Sequence, residues 1–284
     1  MSPVVARITR DVVTVSGPDA ASFLQGQLTQ DVEALHEGGL TRSFVLSPQG
    51  KVEGWGRVER VGAESFRIDV EPGTGTLWAA RLERFLLRTK AEIELHEDLP
   101  TLAVRGADLP GGLPVQWPGQ QGADLIGYDA TALPASVDAA AEEMSPEAFD
   151  ALRIRAGVPR WGTEMDADTI PATLGQWIID VSVSFTKGCY TGQELVARID
   201  SRGGNVPRRL AGLVVDGPAP ERGAVVVSGA EDAGAVTSSA PDAVHGGAVA
   251  LLFVPRAFEV PEDGLDAEVD GTPARLAPLP LPVD

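Results

Sequence analysis

Cysteine occurs once in this chain, at Cys189, and histidine three times, at His36, His96 and His245. A single thiol excludes an internal disulfide and makes a reducing cytoplasm the expected location. With so few sulfur and imidazole groups no zinc-finger spacing can be built. A four-cysteine iron–sulfur site cannot be completed either, so any cluster chemistry must borrow ligands from a partner. Lysine is also scarce: of 23 basic residues only Lys51, Lys90 and Lys187 are lysine. Long apolar runs are missing. The longest, from Ala248 to Val254, is far too short to span a bilayer and reads as a buried strand. The first residues, Met1 to Arg7, carry no apolar stretch of the kind that directs export. Acidic residues outnumber basic ones, giving a net charge of −18, which argues against direct binding to nucleic acid or to a membrane surface. What remains is ordinary globular material, 43% hydrophobic and 23% charged, with 284 residues suiting two or three packed units.

Val13 and Val15 alternate as in a strand and lead into Ser16-Gly17-Pro18-Asp19, where Ser16 or Gly17 can cap a helix and Asp19 complements its dipole. Ala20, Phe23, Leu24, Gln27 and Leu28 then share one helical face. From Leu40 to Val70 the pattern is of strands, broken by the turn Ser47-Pro48-Gln49-Gly50. A helix fits Thr76 to Leu87, and Ala91, Ile93 and Leu95 alternate after it. Residues 106–141, rich in Gly, Pro and Ala, place no strand clearly. Ser145-Pro146-Glu147 opens a well-capped helix that Gly157 and Pro159 end. Strands and helices mix without a regular βαβ repeat, so the class is α+β. We expect a core over residues 1–205, followed over 206–284 by a small β-barrel, which carries five basic and twelve acidic residues.

The chemistry concentrates in Lys187-Gly188-Cys189-Tyr190-Thr191-Gly192-Gln193-Glu194. Thr191 and Glu194 match a capping box, with a helix expected from there through Ile199. Cys189 would then lie near the positive end of that helix, with Lys187 two residues away, and both influences favour a thiolate. In so arginine-rich a chain, a lysine beside the only cysteine hints that a compact ammonium is wanted there. Between Lys187 and Arg209 five basic residues face two acidic ones, a local reversal of sign suited to an anionic ligand tail. The plainer reading stands alongside: a lone cysteine is commonly a small core residue, and a capping box needs no function.

This block, continuing through Val196-Ala197-Arg198 to Arg202-Gly203, resembles the signature of the YgfZ family, folate-binding proteins similar to the aminomethyltransferase of the glycine cleavage system. Gly17-Pro18-Asp19-Ala20 and the run from Phe23 to Val32 are similar to the family's first helix and turn. Leu152 to Pro159 and Ile170-Pro171 match its middle blocks. The resemblance implies an aminomethyltransferase-like cloverleaf of three subdomains around a central channel holding tetrahydrofolate, which can be polyglutamylated. It also implies a role in assembling or repairing iron–sulfur clusters, with client or assembly proteins as partners. Cys189 and Lys187 are the candidate catalytic residues, and Tyr190, Gln193, Glu194 and Arg198 of the same block are candidates for folate contact.

Phe149 and Arg153 lie four apart on the helix that Ser145 opens, so a pterin could stack on Phe149 and a glutamate tail meet Arg153; a core Phe149 and a buried structural Arg153 fit equally well. Two departures separate the chain from the aminomethyltransferases. Their paired acidic residues after a Gly-rich turn are reduced at Gly50-Lys51-Val52-Glu53-Gly54 to one carboxylate at most. Where they hold the pterin with a glutamate, this chain has Arg155, which cannot accept a hydrogen bond from the amino-amide edge. Aminomethyl transfer is therefore not expected. A folate-binding accessory protein acting through Cys189 is the first function class; a folate-dependent one-carbon (aminomethyl or methyl) transferase or demethylase is the alternative.

Overall fold

A computed structural model describes residues 3–138 and 141–282. Its elements are β1 (Val4–Ser16), α1 (Ala20–Gln27), β2 (Leu40–Leu46), β3 (Val52–Gly62), β4 (Ser65–Val70), α2 (Gly75–Glu83), β5 (Glu92–Arg105), β6 (Leu113–Pro114) and β7 (Gly122–Ile126). There follow β8 (Glu142–Glu143), α3 (Pro146–Arg155), a 3₁₀ turn (Pro171–Leu174), α4 (Gln176–Ser182), α5 (Gln193–Asp200) and six strands, β9 (Arg208–Val215), β10 (Val225–Ser228), β11 (Glu231–Pro241), β12 (Ala248–Pro255), β13 (Leu265–Val269) and β14 (Thr272–Ala277). The mixed α and β character expected from the sequence is what the structure has. The chain forms two compact units, each assembled from separated stretches: residues 9–99 with 165–205, and residues 1–8 with 100–164 and 206–284.

In the unit of residues 9–99 and 165–205, β2, β3, β4 and the end of β1 form an antiparallel sheet, with Phe44 opposite Trp55, Val58 opposite Ile68 and Val13 opposite Ile68 on the other side. Its apolar face packs against α1 and α2 through Val13, Val15, Phe23, Leu24, Ile68, Trp78 and Leu82. Gly54 is required there, because a Cβ on it would sit 2.3 Å from the Trp78 indole nitrogen. Fully buried Asp69 on β4 receives Arg10 and Arg57. Burial pushes its carboxyl pKa up, but the two guanidinium groups outweigh that and hold it below its ordinary value. The cap of α1 is Asp19, not Ser16 or Gly17, and no side chain makes the cap bond. The Asp19 carboxylate instead accepts the backbone N–H of Lys90 at 2.8 Å. Helix α2 stops at Glu83 rather than Leu87, and the chain continues in turns to Thr89, with Arg88 left-handed at φ 61°.

In the other unit, β9 to β14 close into a six-stranded barrel ordered β10-β11-β12-β9-β14-β13, sealed where Val226 faces Val269. Leu213, Val226, Val236, Leu252 and Leu276 fill it. The sequence shows β9, β10 and β12 clearly. It hides β11, whose run is interrupted by Gly234 in a conformation (φ 128°) that brings it against the Phe253 carbonyl. Strands β6 and β7 arise from the Gly/Pro-rich stretch that offered no strand pattern, and β7 pairs with the end of β5. Helix α3 begins as expected: the Ser145 side chain accepts the Ala148 N–H, and Gly157 at φ 71° ends it.

Candidate functional site

The segment from Lys187 to Gly192 is pinned to the end of α1. A helix leaves its last carbonyls without partners. At α1 one of these, and two carbonyls just past the helix, are met from across the sequence: the Lys187 ammonium donates to the carbonyls of Gln25 at 2.6 Å, Leu28 at 2.8 Å and Gln30 at 3.0 Å. An ammonium has three N–H donors, and all three are accounted for. The Thr191 N–H adds a further bond, to the Gly26 carbonyl at 3.1 Å. Burial lowers the Lys187 pKa to about 8, while Asp31 and Glu33 pull it upward. The Tyr190 ring lies 5.2 Å from the ammonium, and its own burial pushes the phenol pKa up to about 12.

The capping box does not form. Gly192, left-handed at φ 84°, is the N-cap of α5, and no side chain caps it. Gly192 is wedged so closely that a Cβ on it would stand 2.5 Å from the Ser47 carbonyl, which forces the turn one residue later than Thr191. The reach-back is made by Gln193, whose Oε1 accepts the Tyr190 N–H at 3.1 Å. Glu194 lies exposed in the first turn of α5, Arg198 exposed in its last turn, and Gln193 half-buried. Cys189 stands exposed between the two anchored ends of the segment. One face of α5, through Leu195, Val196 and Ile199, lines an apolar cleft of about 240 Å³ together with Ile170, Ile179 and Phe185.

The α3 candidates belong to the barrel-containing unit, and all three are buried. Phe149 packs on Trp117 with ring centroids 5.8 Å apart, and the Arg105 guanidinium lies 5.0 Å from its ring. Arg153 reaches Asp150, Glu164, the Val158 carbonyl and the Ser238 hydroxyl. Arg155 faces an anionic group, Asp242, with its Nε 2.5 Å from a carboxylate oxygen, and donates to the Pro282 carbonyl at 2.6 Å. Glu53, the carboxylate left after the Gly-rich turn, is held by Arg81 and Arg84. Of the sequence-derived candidates, the structure brings together Lys187, Cys189, Tyr190, Gln193, Glu194 and Arg198 on one loop and helix. Sequence reasoning missed the backbone of residues 25–30 as the receptor of Lys187, although the family-like run from Phe23 to Val32 marked that stretch.

A family model described as the glycine cleavage T-protein C-terminal barrel domain matches residues 208–283. An uncharacterized protein of Haemophilus influenzae is 31% identical over 72% of this chain and 71% of its own length. A tRNA-modifying protein YgfZ of Edwardsiella ictaluri is 30% identical over 68% of this chain and 65% of that protein. The chain belongs to the aminomethyltransferase-like family that includes YgfZ. Within that family it is also similar, at 25% identity over 75% of this chain and 54% of the relative, to a mitochondrial iron–sulfur cluster assembly factor IBA57 homolog of Neurospora crassa. The fold agrees with the solved glycine cleavage system aminomethyltransferase T of Bartonella henselae, at a TM-score of 0.78 and 20% identity, covering 98% of this chain and 86% of that one. No helix among the described residues is long and apolar enough to cross a membrane.

Proposed function

We propose that this protein is a tetrahydrofolate-binding accessory factor that supports assembly or repair of iron–sulfur clusters in client proteins, with Cys189 as its working thiol. The observation that carries the reading is the exposed Cys189 on a loop anchored at both ends, in a family whose relatives include one named as a cluster assembly factor. A single thiolate supplies one ligand or one exchange partner, so the remaining cluster ligands come from the client. The cluster is cargo. Its handling in a reducing cytoplasm fits a chain with one cysteine.

Tetrahydrofolate enters by family membership. The residues of α3 do not offer the family's pterin contact, since Arg155 takes the place of the accepting carboxylate and is already paired with Asp242. We therefore derive no chemical step through the folate. Candidate contacts for its anionic tail or ring are Tyr190, Gln193, Glu194 and Arg198, beside the thiol. Against the one-carbon transferase reading, Glu53, the carboxylate left of the acidic pair, is held by Arg81 and Arg84.

The test is genetic and biochemical together. In cells lacking the protein, Cys189→Ala should fail to restore the activity of cluster-dependent enzymes, while the purified variant unfolds within about 0.5 kcal/mol of the parent, as expected for an exposed site. Native Cys189 should react with iodoacetamide. Full complementation by Cys189→Ala would overturn the role of the thiol, and calorimetry with no heat at high micromolar tetrahydrofolate would overturn the folate. Methylene-folate formed from tetrahydrofolate and an amine methyl donor would favour the transferase instead.

A further inference from the structure

The local geometry gives Lys187 a task different from activating the thiol beside it. Its three donors are taken by carbonyls of Gln25, Leu28 and Gln30, which leaves no N–H for the sulfur of Cys189. Gly188 has nothing within 4 Å of where a Cβ would be, so the chain between Lys187 and Cys189 carries no packing of its own on that side. At the far end, Thr191 bonds to Gly26 and Gly192 is wedged against Ser47. The exposed tip is thus held by one anchor on each flank, and both anchors use the same helix end or its neighbour. The choice of residue fits as well. Twenty of the 23 basic side chains are arginine, yet this position is lysine. A planar guanidinium spreads its donors in a fork, whereas an ammonium directs three N–H bonds from one point towards three carbonyls gathered around it.

We infer that Lys187 is a positioning residue, whose ammonium gathers the carbonyls at the end of α1 and so fixes the Cys189 loop in place, a task that positive charge alone does not perform. The functional weight of this clamp rests on Cys189 being the working thiol; its mechanical part does not.

Three variants of the full chain, Lys187→Met, Lys187→Arg and Lys187→Ala, separate geometry from charge. Hydrogen exchange at the bonded amides of positions 187, 190 and 191 should accelerate roughly tenfold or more in all three, the weight of one charge-assisted hydrogen bond. Lys187→Arg keeps the charge and should rescue neither the protection nor the restoration of cluster-enzyme activity in cells lacking the protein. Propylammonium added to Lys187→Ala should restore the protection, and guanidinium should not. Parental exchange and full complementation in Lys187→Arg, or equal rescue by guanidinium, would overturn the proposal in favour of plain charge. Unchanged exchange in Lys187→Met would remove the clamp altogether. Should the variants fold poorly, the parent still decides: NMR of the Lys187 ammonium should show protons shielded from solvent exchange, and a freely exchanging ammonium would refute the clamp. If Cys189→Ala complements fully while the exchange results hold, the functional reading falls and the clamp stands.

Discussion

Arg155→Glu puts a carboxylate where the aminomethyltransferases carry one, so a ligand-centred view expects it to tighten folate binding. The structure leads to the opposite outcome. Arg155 is buried, its partner Asp242 is 3% exposed, and the pair is closed off further by the Pro282 carbonyl. Removing one partner of a buried pair costs about 3–5 kcal/mol. Two like charges at roughly 4 Å repel by about 4 kcal/mol at an effective dielectric constant near 20, part of which proton uptake relieves. The combined loss is about 7–9 kcal/mol before that relief, comparable with the roughly 5–15 kcal/mol that holds a domain folded. Urea unfolding at pH 7 and pH 5 should show this loss, smaller at pH 5, where one of the two carboxyls takes up a proton. Arg155→Met, which removes the charge without reversing it, should lose less and leave tetrahydrofolate affinity unchanged in calorimetry. An Arg155→Glu protein with parental stability and tighter folate binding would show that Arg155 serves the ligand and not the fold.

Gly192→Ala should loosen the Cys189 loop and slow cluster-enzyme recovery in cells, since the left-handed conformation costs an L-residue about 1–2 kcal/mol before the clash with Ser47 is counted; unchanged loop exchange would contradict the wedge. Asp69 has a folded pKa below its unfolded one, so it contributes stability above the ordinary value of 3.8 that is lost as pH falls through the lower folded value. Asp69→Asn should therefore flatten the acid limb of the unfolding curve, and an unaltered limb would count against the pairing with Arg10 and Arg57. Lys187 holds its proton less tightly folded, at about 8, than unfolded, at 10.5, so in that window the unfolded chain binds more protons. The stability of the parent relative to Lys187→Met should rise as pH increases from 8 to 10.5, and a flat difference would refute the lowered pKa.

Much of this was legible in the residues themselves. Alternation and turn chemistry located β2 to β4, the Ser145 cap located α3, and the block around Cys189 marked the candidate loop. The rest escaped for physical reasons. The clamp uses backbone carbonyls, which carry no residue-type signal, and only their place at a helix end makes them receptive. The Arg155–Asp242 pair joins residues far apart in the chain, so no local pattern announces it. Thr191 was the expected cap of α5, and Gly192, in close approach to Ser47, takes its place. Strand β11 alternates poorly because Gly234 breaks its run.

The interleaved path of the chain sets the order in which a ribosome can finish each unit. Residues 9–99 are made first, but the unit they belong to also needs residues 165–205, and the stretch between them must be translated before Lys187 can reach the end of α1. At roughly 5–20 residues per second the wait from residue 99 to Lys187 lasts roughly 4–18 s. During it the carbonyls of Gln25, Leu28 and Gln30 stay open to water and the apolar face of α5 is not yet made. The other unit waits longer, because β9 in the barrel pairs with β14 on one side and β12 on the other. The unit of residues 9–99 and 165–205 can therefore close first, while residues 206–284 of the other are still unmade, and the nascent chain passes through a long interval with exposed strand edges.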